Sequence, residues 1–176
     1  MYPLGRLFSS FIRATMSGPI GVDAVCETTF RCMPWDIDLW GEMNNGRVLT
    51  LYDVGRINLA IRTGLARVLK RENWGLVVAG SSVRYRRRVR MFDKVTMRSQ
   101  VSLFEERWIY VVQSMWVNGQ PTSSVLVRTA VTKNGKAIST DRVLEALNVA
   151  DWKPEPSDWI ESWKSSEEMR PWPPSP

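Results

Sequence analysis

The chain contains no histidine. That absence excludes Ser-His and Cys-His nucleophile pairs and the common His-ligated zinc sites. Acid–base chemistry near neutral pH falls to Asp, Glu, Tyr, Lys or Cys. Cysteine is scarce as well. Cys26 and Cys32 are the only two, too few for a disulfide framework or a four-thiolate zinc site. They read as reduced, partly buried thiols of a reducing compartment, and a cytoplasmic location is expected. No 18-residue uncharged apolar run is present, so no membrane-spanning helix is expected. Acidic residues are in deficit: 24 Lys and Arg face 18 Asp and Glu, for a net charge of +6. A positive surplus favours anionic ligands such as phosphates.

The 176 residues suit one domain, and an apolar content of 44% is enough to build a core. Residues 1–23 read as a leader helix. Leu4, Leu7, Phe8, Phe11 and Ile12 follow helical spacing, and Arg6 and Arg13 occur there without an acid nearby. Packing on the domain or on a membrane surface is preferred over a cleaved targeting peptide. Residues 24–150 form the main domain, and residues 151–176 a Pro/Trp-rich extension. Asp158 with Glu161, ahead of Trp159, Ile160 and Trp163, predicts a short docked helix there, followed by a frayed end.

Within the domain, residues 24–33 are β-prone and end at Pro34. Asn44-Asn45-Gly46 is a turn and a helix cap. The proline-free stretch from Val48 to about Lys70 is apolar over much of a helical circumference, which predicts a buried helix. Gly55 inside it suggests a close backbone approach, and Gly64 a bend or an early end. The period then changes to two. Leu76–Ala79 and Ser82–Val89 read as one long strand or two short ones, and Lys94–Phe104, Trp108–Val117 and Ser123–Thr132 as three more. Glu105-Glu106, Asn118-Gly119 and Asn134-Gly135 mark the turns. Asp141–Leu147 fits a short helix. The order predicts an α+β fold, an antiparallel sheet wrapped around a long central helix.

The densest chemistry lies in Asp36-Ile37-Asp38-Leu39-Trp40-Gly41-Glu42-Met43-Asn44-Asn45-Gly46-Arg47. Two carboxylates precede a helix N-terminus, where unpaired N–H groups carry about half a positive charge. A carboxylate and such amides facing one pocket can attack and polarise a carbonyl. Taken alone, Asp and Asn also favour such turns on local grounds.

This segment resembles the D-x-D-x-x-G-H-M-N-N-x-R motif of hotdog-fold acyl-CoA thioesterases of the 4-hydroxybenzoyl-CoA thioesterase type. Val48–Gly64 resembles their central helix. Ser82–Val89 with Arg90-Met91-Phe92-Asp93-Lys94-Val95, and Val131–Ala137, resemble later segments in the same order. The resemblance covers roughly residues 24–148. It implies the hotdog fold, hydrolysis of an acyl-CoA to free acid and CoA, and a homodimer or homotetramer with pockets at the subunit interface. It also implies Asp38 as nucleophile or general base, and the amide of Asn45, with Gly46 beside it, as the carbonyl-polarising donor. Glu42 stands where the family has His. It either packs or hydrogen-bonds in place of that His or serves as the base. Asp36 reads as a structural hydrogen-bonding residue. Trp35, Trp40 and Met43 would line an acyl tunnel. No cofactor and no metal is expected. The alternative is a non-catalytic acyl-thioester or lipid-binding protein.

Arg84, Arg86, Arg88 and Arg90 alternate, which predicts one face of a strand. A solvated, edge-protecting face is the commonest reading of such a row. The phosphates of CoA come next, since guanidinium forks suit phosphate. Nucleic acid comes last and is not expected as a partner. Contact with a membrane surface is expected only through the leader helix.

Overall fold

A computed structural model describes residues 3–152 and 154–174. The helices are α1 (Leu4–Met16), α2 (Asn45–Arg62), α3 (Leu65–Glu72), α4 (Thr140–Ala146) and α5 (Asp158–Glu168). The strands are β1 (Cys26–Arg31), β2 (Gly75–Tyr85), β3 (Lys94–Glu105), β4 (Trp108–Val117), β5 (Gln120–Lys133) and β6 (Lys136–Ala137). They form one antiparallel sheet in the order β1-β3-β4-β5-β2, with β6 paired to the end of β5. Two hairpins close on Asn-Gly turns. Asn118 and Gly119 sit at φ +49° and +74°, and Asn134 and Gly135 at +50° and +78°. Two successive positive φ values match the twist of the flanking strands.

Alternation along β4 and β5 divides the packing between two faces. Val125, Val127 and Met115 face Val48, Leu51 and Tyr52 of α2 across one core. Leu126 and Tyr110 point to the other face, where Ile160 of α5 covers them. Trp163 meets Tyr110 edge to face at 6.4 Å. The docked C-terminal helix is therefore present; the frayed end beyond it falls partly outside the described residues. The central helix runs so close to the sheet that a Cβ at Gly55 would lie 2.5 Å from Met97 Cε and 2.9 Å from Gln113 Nε2.

The early end expected at Gly64 is present: at φ +83° that glycine follows the end of α2 and starts α3. Left-handed backbone costs glycine no Cβ clash, so the chain turns there. The alternating arginines are not one strand face. β2 ends at Tyr85, and the N–H groups of Arg86 and Arg87 both donate to Thr122 O, at 2.8 and 3.0 Å. Two consecutive amides on one carbonyl break the two-residue period, because the next residue of β5 is Pro121. A helix occupies the leader segment and meets the domain through its polar side. Arg6, Ser10 and Ala14 face the domain, while Leu4, Phe8, Phe11 and Met16 are exposed.

Candidate active site

Residues 36–44 form a tight hairpin that leads directly into α2. Ile37 pairs with Met43, and Asp38 N–H donates to Glu42 O at 2.8 Å. Met43 N–H donates to Val89 O at 2.9 Å, which ties the hairpin to the segment after β2. The two acids of the motif have separate structural positions. Asp36 has a fully buried side chain. Its Oδ2 accepts from Arg6 Nη2 at 2.6 Å and Met33 N–H at 2.8 Å, and its Oδ1 lies 3.2 Å from Arg47 Nε. A carboxylate held by two guanidinium groups and an amide is committed to structure. Asp38 is half-buried. Its Oδ1 accepts from Trp40 N–H at 2.9 Å and Glu42 N–H at 3.4 Å. Its Oδ2 has no hydrogen-bond partner among the described residues.

The helix N-terminus can be accounted for donor by donor. An α-helix begins with unpaired N–H groups. The Asn44 N–H donates to Asp36 O at 2.8 Å. The Asn44 side-chain oxygen accepts from Gly46 N–H at 2.9 Å and Arg47 N–H at 3.2 Å. The Asn45 N–H remains, without a partner among the described residues. Gly46, the second candidate donor, is already taken by the cap.

Asn45 lines a cavity of about 240 Å3 with Glu42, Met43, Val48, Tyr85, Arg86, Arg87, Arg88 and Ser123. Glu42 Oε2 holds Arg88 Nε at 3.1 Å, and its backbone pairs with Arg90. The glutamate thus fastens the arginine segment to the hairpin. Met43 is buried against the core. Four expected site residues lie elsewhere: Asp38, Gly46, Trp40 and Arg84 are not part of this cavity wall. Trp40 is 76% exposed. Arg84 is paired opposite Ser124 within β2.

The sequence reading passed over Arg87, Tyr85 and Ser123. Arg87 joins its neighbours only because of the shared bond to Thr122 O. Ser123 is recruited by register: it lies opposite Tyr85 on β2 and 2.8 Å from the buried Tyr52 hydroxyl. Burial keeps the Tyr52 hydroxyl protonated well above the usual phenol range, outweighing its hydrogen bond to Ser123. Burial likewise pushes the Tyr85 phenol up. Both therefore serve as neutral hydrogen-bonding groups near pH 7.

An antiparallel sheet curled around a central helix, with a capped helix N-terminus opening on a cavity, is the hotdog fold. Residues 32–164 match the model of the thioesterase-like superfamily, and the chain belongs to that family. It is 31% identical over 81 residues to "Protein THEM6" of Xenopus laevis, spanning 46% of this chain and 39% of that protein. It is 28% identical over 142 residues to "Protein THEM6" of Drosophila melanogaster, spanning 78% of this chain and 71% of that one. Among solved structures it resembles YbaW, a probable thioesterase from Escherichia coli. There the TM-score is 0.65 at 19% identity, covering 70% of this chain and 97% of that one. It also resembles the hypothetical protein SAV2348 from Staphylococcus aureus in complex with CoA. That match has a TM-score of 0.65 at 10% identity, covering 80% and 92%. At such identities the structural likeness is one of fold.

Proposed function

We propose that this protein hydrolyses acyl-CoA thioesters, with Asp38 and the Asn45 amide as the reacting pair. The observation that carries this reading is the single first-turn N–H left unpaired after Asn44 has capped the helix. The thioester oxygen accepts from Asn45 N–H, and an amide aimed at a developing oxyanion contributes on the order of 3 kcal/mol. Asp38, on the adjoining hairpin outside that cavity wall, reaches a thioester that extends from the Asn45 amide toward the hairpin, and its Oδ2 then has two routes. It attacks the carbonyl carbon, expelling CoA thiolate and leaving an acyl anhydride for water to cleave, or it takes a proton from a water that attacks in its place. Both end in free acid and CoA. Arg86, Arg87 and Arg88 offer guanidinium groups to the CoA phosphates at the cavity. Glu42 acts as a positioning residue through Arg88.

Asp38→Asn is expected to lower kcat/KM for acyl-CoA at least 100-fold, measured by thiol release over a panel of chain lengths, with unchanged unfolding. Near-normal turnover would remove Asp38 from the mechanism. Thermal stabilisation by acyl-CoA with no thiol release from the unaltered protein would instead make it a binding module.

Two surfaces support the expected partners. β2 is an edge strand on which Leu76, Val77 and Val78 are 40%, 46% and 54% exposed. An open apolar edge of this length suits pairing with a second copy. Val77→Lys should then convert a dimer to a monomer by light scattering, and an unchanged mass would rule this edge out. The outward stripe of Leu4, Phe8, Phe11, Ile12 and Met16, on a helix with no acid, suits a lipid surface. Loss of vesicle flotation in a Phe8→Ser/Phe11→Ser variant would support that contact. Equal flotation would remove it. No helix among the described residues is long and apolar enough to cross a membrane.

A further inference from the structure

A second cavity lies apart from the one at Asn45. It lies beneath α1, walled by β1 on one side and α2 on the other, with a volume of about 400 Å3. That is within the usual size range of ligand pockets, roughly 300–1,000 Å3. Its roof, α1, precedes residue 32, where the match to the thioesterase-like family begins. It shares no lining residue with the Asn45 cavity.

Two kinds of wall meet there. Leu51 and Val54 of α2, Met97 of β3, Phe30 of β1 and Ala14 of α1 supply apolar surface. Arg6, Arg13, Arg31 and Arg62 supply four guanidinium groups. The only acid in the lining is Glu27, which is already engaged by Arg98 at 2.6 Å. Arg6 is engaged by Asp36. The other three have no carboxylate within ion-pair distance among the described residues. Arg31 Nη1 donates to Phe92 O at 3.1 Å, and Arg62 Nε to Gly18 O at 3.1 Å. These bonds orient Arg31 and Arg62, while Arg13 has no side-chain hydrogen bond among the described residues and, like Arg31, is exposed. Guanidinium groups free of a carboxylate suit an anionic oxygen.

Arg6 Nη1 and Thr28 Oγ1 are buried without any hydrogen-bond partner. Both residues belong to the cavity lining. Water can fill the charged part of the cavity, but it gains nothing from the apolar part. A ligand that satisfies both parts has one anionic head and one apolar chain.

We propose that the cavity under α1 binds a single-chain amphiphile with an anionic head, the head among Arg13, Arg31 and Arg62 and the chain against Leu51, Val54 and Met97. A carboxylate and a phosphate monoester share the required chemistry. This assignment does not depend on the thioesterase reading, because the two cavities are separate.

The test is calorimetric titration of the full chain with dodecanoate, dodecyl phosphate and dodecanol, each below its aggregation concentration. Saturable binding of at least one anion, tenfold or more tighter than dodecanol, is expected. The preferred anion identifies the head group. Arg13→Ala and Arg31→Ala should each weaken that anion at least fivefold and leave dodecanol unchanged, with circular dichroism reporting that each variant is folded. Saturating CoA should leave the affinity unchanged. Equal affinity for dodecanol, no binding of any of the three, insensitivity to both arginine variants, or competition by CoA would each overturn the proposal.

Discussion

Replacing Asp36 by Asn separates the structural acid of the motif from the one assigned to chemistry. The Asp36 side chain is fully buried and is approached by Arg6 Nη2 at 2.6 Å, Arg47 Nε at 3.2 Å and Met33 N–H at 2.8 Å. Those contacts join α1, the turn after β1 and the first turn of α2. The Arg6 and Arg47 side chains are only 19% and 16% exposed. Asn keeps the shape and one acceptor oxygen but removes the charge that two guanidinium groups share. Breaking a buried ion pair from one side costs about 3–5 kcal/mol, because the remaining charge stays buried. For a chain of this size each kcal/mol shifts the melting temperature by roughly 2–4 °C, so a fall of about 6–20 °C is expected. Urea denaturation of wild type, Asp36→Asn and Asp38→Asn measures it directly. Thiol release is then compared at a temperature where all three are folded. Asp36→Asn should lose stability and retain most of its turnover per folded molecule, whereas Asp38→Asn should do the reverse. A stability loss below about 1 kcal/mol, the scale of an exposed pair, would refute the buried triad. A 100-fold activity loss in stable Asp36→Asn would reassign the catalytic acid.

Two further outcomes follow from packing and protonation. Gly55→Ala gains roughly 1 kcal/mol of helix propensity. The new Cβ, however, meets Met97 and the amide of Gln113. Met97 has a flexible end, but Gln113 Nε2 is held by Tyr52 O at 2.9 Å and Ser99 Oγ at 2.8 Å. Overpacking costs typically 1–3 kcal/mol, so net destabilisation is expected in thermal unfolding, and a stabilised variant would contradict the close approach. Cys32 is pushed up to about 11, first by burial and then by the nearby Asp36 carboxylate. The unfolded chain therefore loses this proton first as pH rises above about 9. Its contribution to stability is complete below that pH and falls as pH climbs toward 11, by at most about 2–3 kcal/mol. Urea titrations at pH 8 and 10.5 should show a smaller alkaline loss for Cys32→Ala than for wild type; equal losses would discard this source.

Local rules carried much of the architecture. Asn118-Gly119 and Asn134-Gly135 specify their hairpins because few other pairs accept two positive φ values. The change of apolar period from helical to two separated α2 from the sheet, and Gly55 announced the contact with β3 and β4 through its missing Cβ. The motif itself placed Asp36, Asp38 and the Asn cap at one helix start, since Asx residues act on backbone groups two or three positions away. Tertiary structure decided the rest. The motif already set Asp36 apart as the structural acid, but its partner Arg6, 30 residues earlier, is supplied only by the docking of α1. The arginine row lost its period because Pro121, on a strand more than 30 residues later, ends the pairing that would have continued it. Amphipathic spacing predicted α1 but not which side would face inward. That choice was made by polar partners on β1 and α2, which hold Arg6 and Ser10 toward the domain and leave the phenylalanines outside. Sequence periodicity reports how one element is divided into faces; what each face meets is a property of the other elements.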